Sequence, residues 1–134
     1  GEHFTVTAAA AVSNSAGGGG DRPHRIANGN LPADQRSIDR WFDLTAFATP
    51  AQFTFGNSGR GIIVAPGNFN VDAGIHRQFA IVDRYKVTFR WEMFNAFNRA
   101  NFGNPNSAIG NAQVGQISGT APARIQQAAL KFVF

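Results

Sequence analysis

Three histidines, His3, His24 and His76, are the side chains best suited to metal or proton chemistry. None stands in an HxH or HExxH spacing. Asp72 precedes His76 by four residues, and a strand would set the two about 13 Å apart at roughly 3.3 Å per residue, too far for shared ligation. Ser58 sits in GNSGRG, which lacks the GxSxG pattern of a nucleophile elbow. The glycine run at 17–20 is followed by no Lys-Ser/Thr pair, so it is no phosphate loop. Asp34, Asp39 and Asp43 are spaced for capping and solvent rather than as an acid/base pair. The chain has no cysteine, hence no thiolate site and no disulfide framework. No catalytic, cofactor-binding or metal residue is expected, and the chain is not expected to be an enzyme.

The elements around these residues carry more information than the residues themselves. At 134 residues the chain falls within the length of one domain. It holds 15 Gly and 13 Phe but only 15% charged residues. Gly, Asn and Pro punctuate turns while Phe, Val and Thr favour strands, so the composition points to an all-β chain with long Gly/Asn-rich loops. The formal charge is +4, and the pI is near 10.7. A basic pI can mark a nucleic-acid binder. Here the ten arginines are scattered, with no basic helix and no Lys-rich run, and no nucleic-acid partner is expected. No stretch approaches the roughly 18 apolar residues of a membrane helix.

Alternation defines the strands. Residues 85–97 (YKVTFRWEMFNAF) are the clearest: Tyr85, Val87, Phe89, Trp91 and Met93 form an apolar stripe, and Lys86, Thr88, Arg90 and Glu92 a polar one. Residues 123–134 (PARIQQAALKFVF without its leading Pro) read likewise. Ala128, Leu130, Phe132 and Phe134 share one face, and Gln127, Ala129, Lys131 and Val133 the other. Residues 69–80 alternate with one interruption, Arg77. Residues 2–12 (EHFTVTAAAAV) form a weaker strand, because the alanine run also suits a helix. Residues 82–84 supply a short turn. The spacing further predicts a short helix over 34–42, with Asp34 as N-cap and Ile38, Trp41 and Phe42 as its apolar edge, and a short extension over 114–117. The glycines at 17–20 break regular structure.

The expected fold is therefore about four long antiparallel strands, at roughly 2–12, 69–80, 85–97 and 123–134, joined by long loops at 13–68 and 98–122. Strands of this length exceed the usual 5–6 residues of soluble sheets. They match the roughly 9–11 residues that cross a bilayer with tilt. Long connections fall at one end of the strands and the short turn at the other, as in outer-membrane barrels. The stripe Tyr85, Val87, Phe89, Trp91, Met93, Leu130, Phe132 and Phe134 is expected to face membrane or to pack.

These runs carry a resemblance. FGNSGRG, APGNFNVDAGIHRQFAI, YKVTFRWEMFNAFNRANFGNPN and ARIQQAALKFVF resemble the C-terminal end of TonB-dependent outer-membrane receptors, of the acidobacterial-like type with a carboxypeptidase-regulatory-like domain. The resemblance spans roughly residues 21–134, and its most specific piece is 90–104. The family usually has Arg where Ala65 stands, and often Phe and Lys at His76 and Arg77. It implies a β-barrel segment in the bacterial outer membrane, in contact with lipid, completed by upstream strands and a plug that are not seen in this sequence. Such a segment alone is not transport-competent.

Four strands cannot close a barrel, since the smallest use eight. An isolated chain would thus expose two sheet edges, and β-edge pairing into a homo-oligomeric ring, tube or filament is a second expectation, with the chain extracellular as a released fragment. A third is a soluble β ligand-binding domain, whose apolar stripes would have to cover each other within one chain.

Overall fold

The computed structural model describes residues 1–14, 20–82 and 84–134. The expected glycine break at 17–20 and the centre of the 82–84 turn lie largely outside the described residues. The strands are β1 (His3–Phe4), β2 (Thr7–Ala8), β3 (His24–Arg25), β4 (Phe47–Ala48), β5 (Ile63–Val64), β6 (Ala73–Val82), β7 (Tyr85–Phe94), β8 (Ala108–Ile109) and β9 (Ile125–Val133). The fold is all-β, with several separate sheets, none of them closed. Among the described residues no helix is long and apolar enough to cross a membrane. The chain divides into two compact units, one of residues 1–67 with 102–119 and one of residues 68–101 with 120–134.

The first unit is built from short pairings. β1 runs antiparallel to β5, β2 parallel to β8, and β3 antiparallel to β4. Its core is Val6, Phe42, Ala46, Phe47 and Ile63, with Phe4, Trp41, Leu44, Ile62, Ile109 and Val114 packed around it. Phe42 stands edge-on to both Phe4 and Phe47, with centroids 5.8 and 5.9 Å away. Gly29 (φ +79°) lies so close to Phe47 that a Cβ there would stand 2.7 Å from the ring. Asn30 substitutes for a strand beside β5: its Nδ2 donates to the Ile62 carbonyl at 2.8 Å, and its Oδ1 accepts from the Val64 N–H at 2.9 Å. The Trp41 indole donates to the Val64 carbonyl at 2.8 Å.

Three sequence expectations are corrected here. The strand over 2–12 breaks into β1 and β2, which pair with different partners, because Val6 turns into the core between them. The alanines that follow offer too little side-chain area to hold a ladder. The helix over 34–42 is only a 3-10 turn at Ala33–Gln35, with Pro32 at its start and no side-chain cap from Asp34. Tertiary pairing overrides its propensity. Trp41 N–H donates to the Gly115 carbonyl at 3.0 Å, and Ile117 N–H to the Ile38 carbonyl at 2.8 Å. The extension expected at 114–117 is accordingly these isolated backbone bonds rather than a strand.

Asp21, 8% exposed, pins the chain after β2. Its carboxylate accepts from the Ser13 hydroxyl at 2.6 Å and the Ser13 N–H at 2.8 Å. The hydroxyl bond first, and then the backbone bond, hold its pKa below the ordinary 3.8, against an opposing desolvation effect. A carboxylate with a depressed folded pKa stabilises fully above its unfolded pKa, and that contribution is lost as pH falls through the folded value. The Ser13→Ala variant is therefore expected to melt below the wild type at neutral pH. The gap should close as the pH drops from about 5 through the acidic carboxylate range, followed by circular dichroism. A gap independent of pH would contradict this.

The second unit is one antiparallel sheet in the order β6-β7-β9. The β6–β7 ladder pairs Ala73 with Met93 through Ala80 with Lys86, then shifts by a bulge before Val82 pairs with Tyr85. β9 runs from Ile125 opposite Phe94 to Val133 opposite Lys86. β7 ends at Phe94, short of the expected 97, because Asn95 (φ +52°) and Asn98 (φ +50°) turn the chain in the left-handed region, where Asn is tolerated better than most residues. β6 starts later than expected and continues to Val82.

Candidate functional site

Strand alternation and register together give the second unit two chemically distinct faces. On one, Ala73, Ile75, Arg77 and Phe79 of β6 stand beside Met93, Trp91, Phe89 and Val87 of β7. These in turn stand beside Gln126, Ala128, Leu130 and Phe132 of β9. On the other lie Gly74, His76, Gln78 and Ala80, then Glu92, Arg90, Thr88 and Lys86, then Gln127, Ala129, Lys131 and Val133. The apolar face is not packed away: Leu130 is 68% exposed, Phe132 58%, Ile75 53% and Phe79 50%. Within this unit the stripes do not cover each other, as a self-contained soluble β-domain would require. A contiguous exposed apolar surface of this kind marks contact with membrane or protein.

Of the stripe expected from sequence, Tyr85, Val87, Phe89, Trp91 and Met93 alternate along β7, with Phe132 opposite Val87 and Leu130 opposite Phe89. Phe134 follows β9 and is 93% exposed. The stripe extends onto β6 through Ala73, Ile75 and Phe79, whose alternation was visible in the sequence, and onto Ala128 of β9.

Dimensions suit a bilayer. A strand of 10 residues such as β6 or β7 is about 33 Å long at roughly 3.3 Å per residue. Tilted by about 40°, it spans the apolar band of about 25 Å that barrel proteins present to lipid. Aromatic groups mark both ends. Near the turn stand Tyr85, Phe79 and Phe132; at the far end the Phe69 and Phe97 rings lie 6.4 Å apart, with the Arg99 guanidinium 5.5 Å over Phe69.

Arg77 is the one charge on the apolar face, in the row of Phe89 and Leu130. Its guanidinium lies 5.6 Å over the Phe79 ring. The head group is thus carried toward the turn, the direction in which a long basic side chain reaches water while its stem stays on apolar surface.

At the end away from the turn, a polar network fixes the β7–β9 connection. Asn95 is 6% exposed. Its Nδ2 donates to the carbonyls of Arg99 at 2.9 Å and Pro122 at 3.2 Å, and its Oδ1 accepts from the Arg99 N–H at 3.0 Å. Asp72 accepts from the Asn95 N–H at 3.0 Å and from Asn70 at 2.9 Å. Asn101 Oδ1 accepts from the Phe69 N–H at 2.9 Å. These groups border a cleft of about 300 Å³. Most of these bonds hold loop backbone, so the network acts as a clasp on the β7–β9 connection.

The other candidates from sequence stay apart. His3, His24 and His76 lie on β1, β3 and β6, and among the described residues no three metal-ligating side chains converge. Ser58 is buried, and among the described residues its hydroxyl has no hydrogen-bond partner. On the polar face, the structure gathers His76, Arg90 and Lys131 around one concavity, a grouping that sequence reasoning missed because it depends on the register of three strands.

Residues 1–127 match the family model of an outer membrane beta barrel domain. No significant match to the chain was found among curated proteins or among solved structures. A match over nearly the whole chain agrees with the amphipathic, bilayer-length strands described above. The chain belongs to the outer membrane beta barrel domain family, which points to a place in the outer membrane.

Proposed function

We propose that the chain contributes wall strands to a TonB-dependent receptor in the bacterial outer membrane. Its apolar face would meet lipid and its polar face the barrel interior, and the chain would carry no catalytic activity and no cofactor. The observation that carries the reading is the apolar face shared by three neighbouring strands of bilayer length, β6, β7 and β9. The resemblance of residues 90–104 to such receptors supports the finer assignment. The long connection between β7 and β9 lies at one end and the short turn between β6 and β7 at the other. That asymmetry suits an extracellular loop and a periplasmic turn.

The outer edges of β6 and β9 have no partner strand among the described residues. Unpaired edges demand completion. In the receptor, neighbouring strands of the same barrel would provide it. Without them, pairing between copies of this chain is the second reading, favoured by the two open edges flanking one apolar face.

The test is energy coupling. Cells producing the full-length protein that carries these residues should place it in the outer membrane. Any nutrient uptake it confers should vanish when TonB is deleted. Uptake that persists without TonB would overturn the receptor reading and leave a passive barrel. Electron microscopy of the chain in buffer without detergent decides the second reading: ordered rings or tubes support edge pairing, and dispersed monomers contradict it.

A further inference from the structure

The polar face holds a concavity of about 360 Å³ lined by His76, Thr88, Arg90, Ala129 and Lys131, within the roughly 300–1,000 Å³ of small-molecule sites. Each strand supplies one nitrogen-bearing side chain. His76 stands directly opposite Arg90, Arg90 opposite Ala129, and Lys131 opposite Thr88. Lys131 is therefore the diagonal neighbour of Arg90, about 7–8 Å away along the sheet. Thr88 and Ala129 are its short lining side chains, and His76, Arg90 and Lys131 its nitrogen-bearing ones.

Among the described residues of this polar face, the one carboxylate, Glu92, is already engaged. Glu92 meets Arg90 Nε at 3.4 Å through one oxygen and accepts a hydrogen bond from Gln127 Nε2 through the other. The Nη side of Arg90, the Lys131 ammonium, the His76 ring and the Thr88 hydroxyl have no hydrogen-bond partner among the described residues. Glu92 meets Arg90 on its Nε side, which leaves the Nη side of Arg90 and the Lys131 ammonium as two like charges on one diagonal of the polar face. A guanidinium, an ammonium and a hydroxyl converging on one hollow are the donor set for an oxyanion, which accepts several charge-assisted hydrogen bonds at once.

We propose that this concavity binds a compact oxyanion, of the phosphate class, on the polar face of the sheet. Arg90 and Lys131 supply charge and donors, Thr88 a neutral donor, and His76 closes the β6 side. The proposal stands on the sheet's own geometry, so it holds or fails independently of TonB coupling.

The probe is inorganic phosphate, titrated into the full 134-residue chain in zwitterionic detergent and followed by amide chemical shifts. Saturable shifts are expected at Thr88 and Ala129. Arg90→Gln and Lys131→Gln should each weaken binding by about tenfold or more, the usual worth of a charged hydrogen bond. Lys86→Gln removes the same charge from the same face but outside the hollow, and should leave affinity unchanged. Glu92→Gln frees Arg90 and should tighten binding. Non-saturating shifts, or an equal loss in Lys86→Gln, would overturn the site in favour of net charge. Micelles doped with an anionic phospholipid that reproduce the shifts and compete with phosphate would keep the oxyanion site and assign its ligand to a lipid headgroup.

Discussion

Phe42→Ala is expected to destabilise the first unit by about 3–5 kcal/mol, the range for deleting a fully buried aromatic ring. Phe42 is 0% exposed and, among the described residues, sits in a small core with Val6, Ala46, Phe47 and Ile63. It makes edge contacts to Phe4 and Phe47, which join β1 to β4 through a single side chain. Small units have little stability in reserve, since whole domains have about 5–15 kcal/mol. The truncation should therefore unfold this unit under mild denaturant. Trp41, adjacent in sequence and hydrogen-bonded to the Val64 carbonyl, reports the change through its fluorescence. Phe42→Leu keeps most of the volume and should cost about 1–2 kcal/mol. A loss below about 1 kcal/mol for the alanine variant would mean that the core drawn around Phe42 is not what holds the unit.

Leu130→Arg is expected to impair insertion of the sheet into bilayers by about 2–4 kcal/mol, the penalty for a basic residue on the lipid face near the midplane. Leu130 lies opposite Phe89 in the row that already contains Arg77. Arg77 escapes over Phe79 toward the turn. A second guanidinium two strands away, about 10 Å across the sheet, would add like-charge repulsion to desolvation. Gln78→Arg is the matched control: Gln78 pairs with Thr88 on the polar face, and there an arginine stays in a wet environment. Urea-dependent folding into liposomes separates the two variants. Equal effects at both positions would contradict the assignment of faces.

Much of the sheet was legible from residue types alone, and the reason is physical. β7 alternates without a break from Tyr85 to Met93, and a period of two needs no tertiary information. β9 announces itself in the same way. The errors fall where local pattern and global context part. Asn95 and Asn98 end β7 through left-handed backbone that the apolar pattern, which runs on to Phe97, does not reveal. The region read as a long loop at 13–68 contributes most of a core. Phe42, Ala46, Phe47 and Ile63 follow no helical or strand period, and only the fold brings them to Val6. The segment at 34–42 has the composition of a helix but is drawn into backbone pairing with 115–117. The oxyanion hollow was invisible for a different reason. His76, Arg90 and Lys131 are separated by 14 and 41 residues in the chain, and only the β6–β7 and β7–β9 registers make them neighbours.

The central claim is that the face bearing Val87, Phe89, Trp91 and Met93 meets lipid while the face bearing Lys86, Thr88, Arg90 and Glu92 does not. The chain contains no cysteine, so single cysteines can be placed and spin-labelled at each position from 86 to 93 in the bilayer-inserted protein. Collision rates with oxygen, which concentrates in lipid, and with a water-soluble nickel chelate are then measured along β7. The account expects a period-two oscillation, with oxygen favoured at 87, 89, 91 and 93 and the chelate at 86, 88, 90 and 92. An oscillation of the opposite phase, or none, would contradict it.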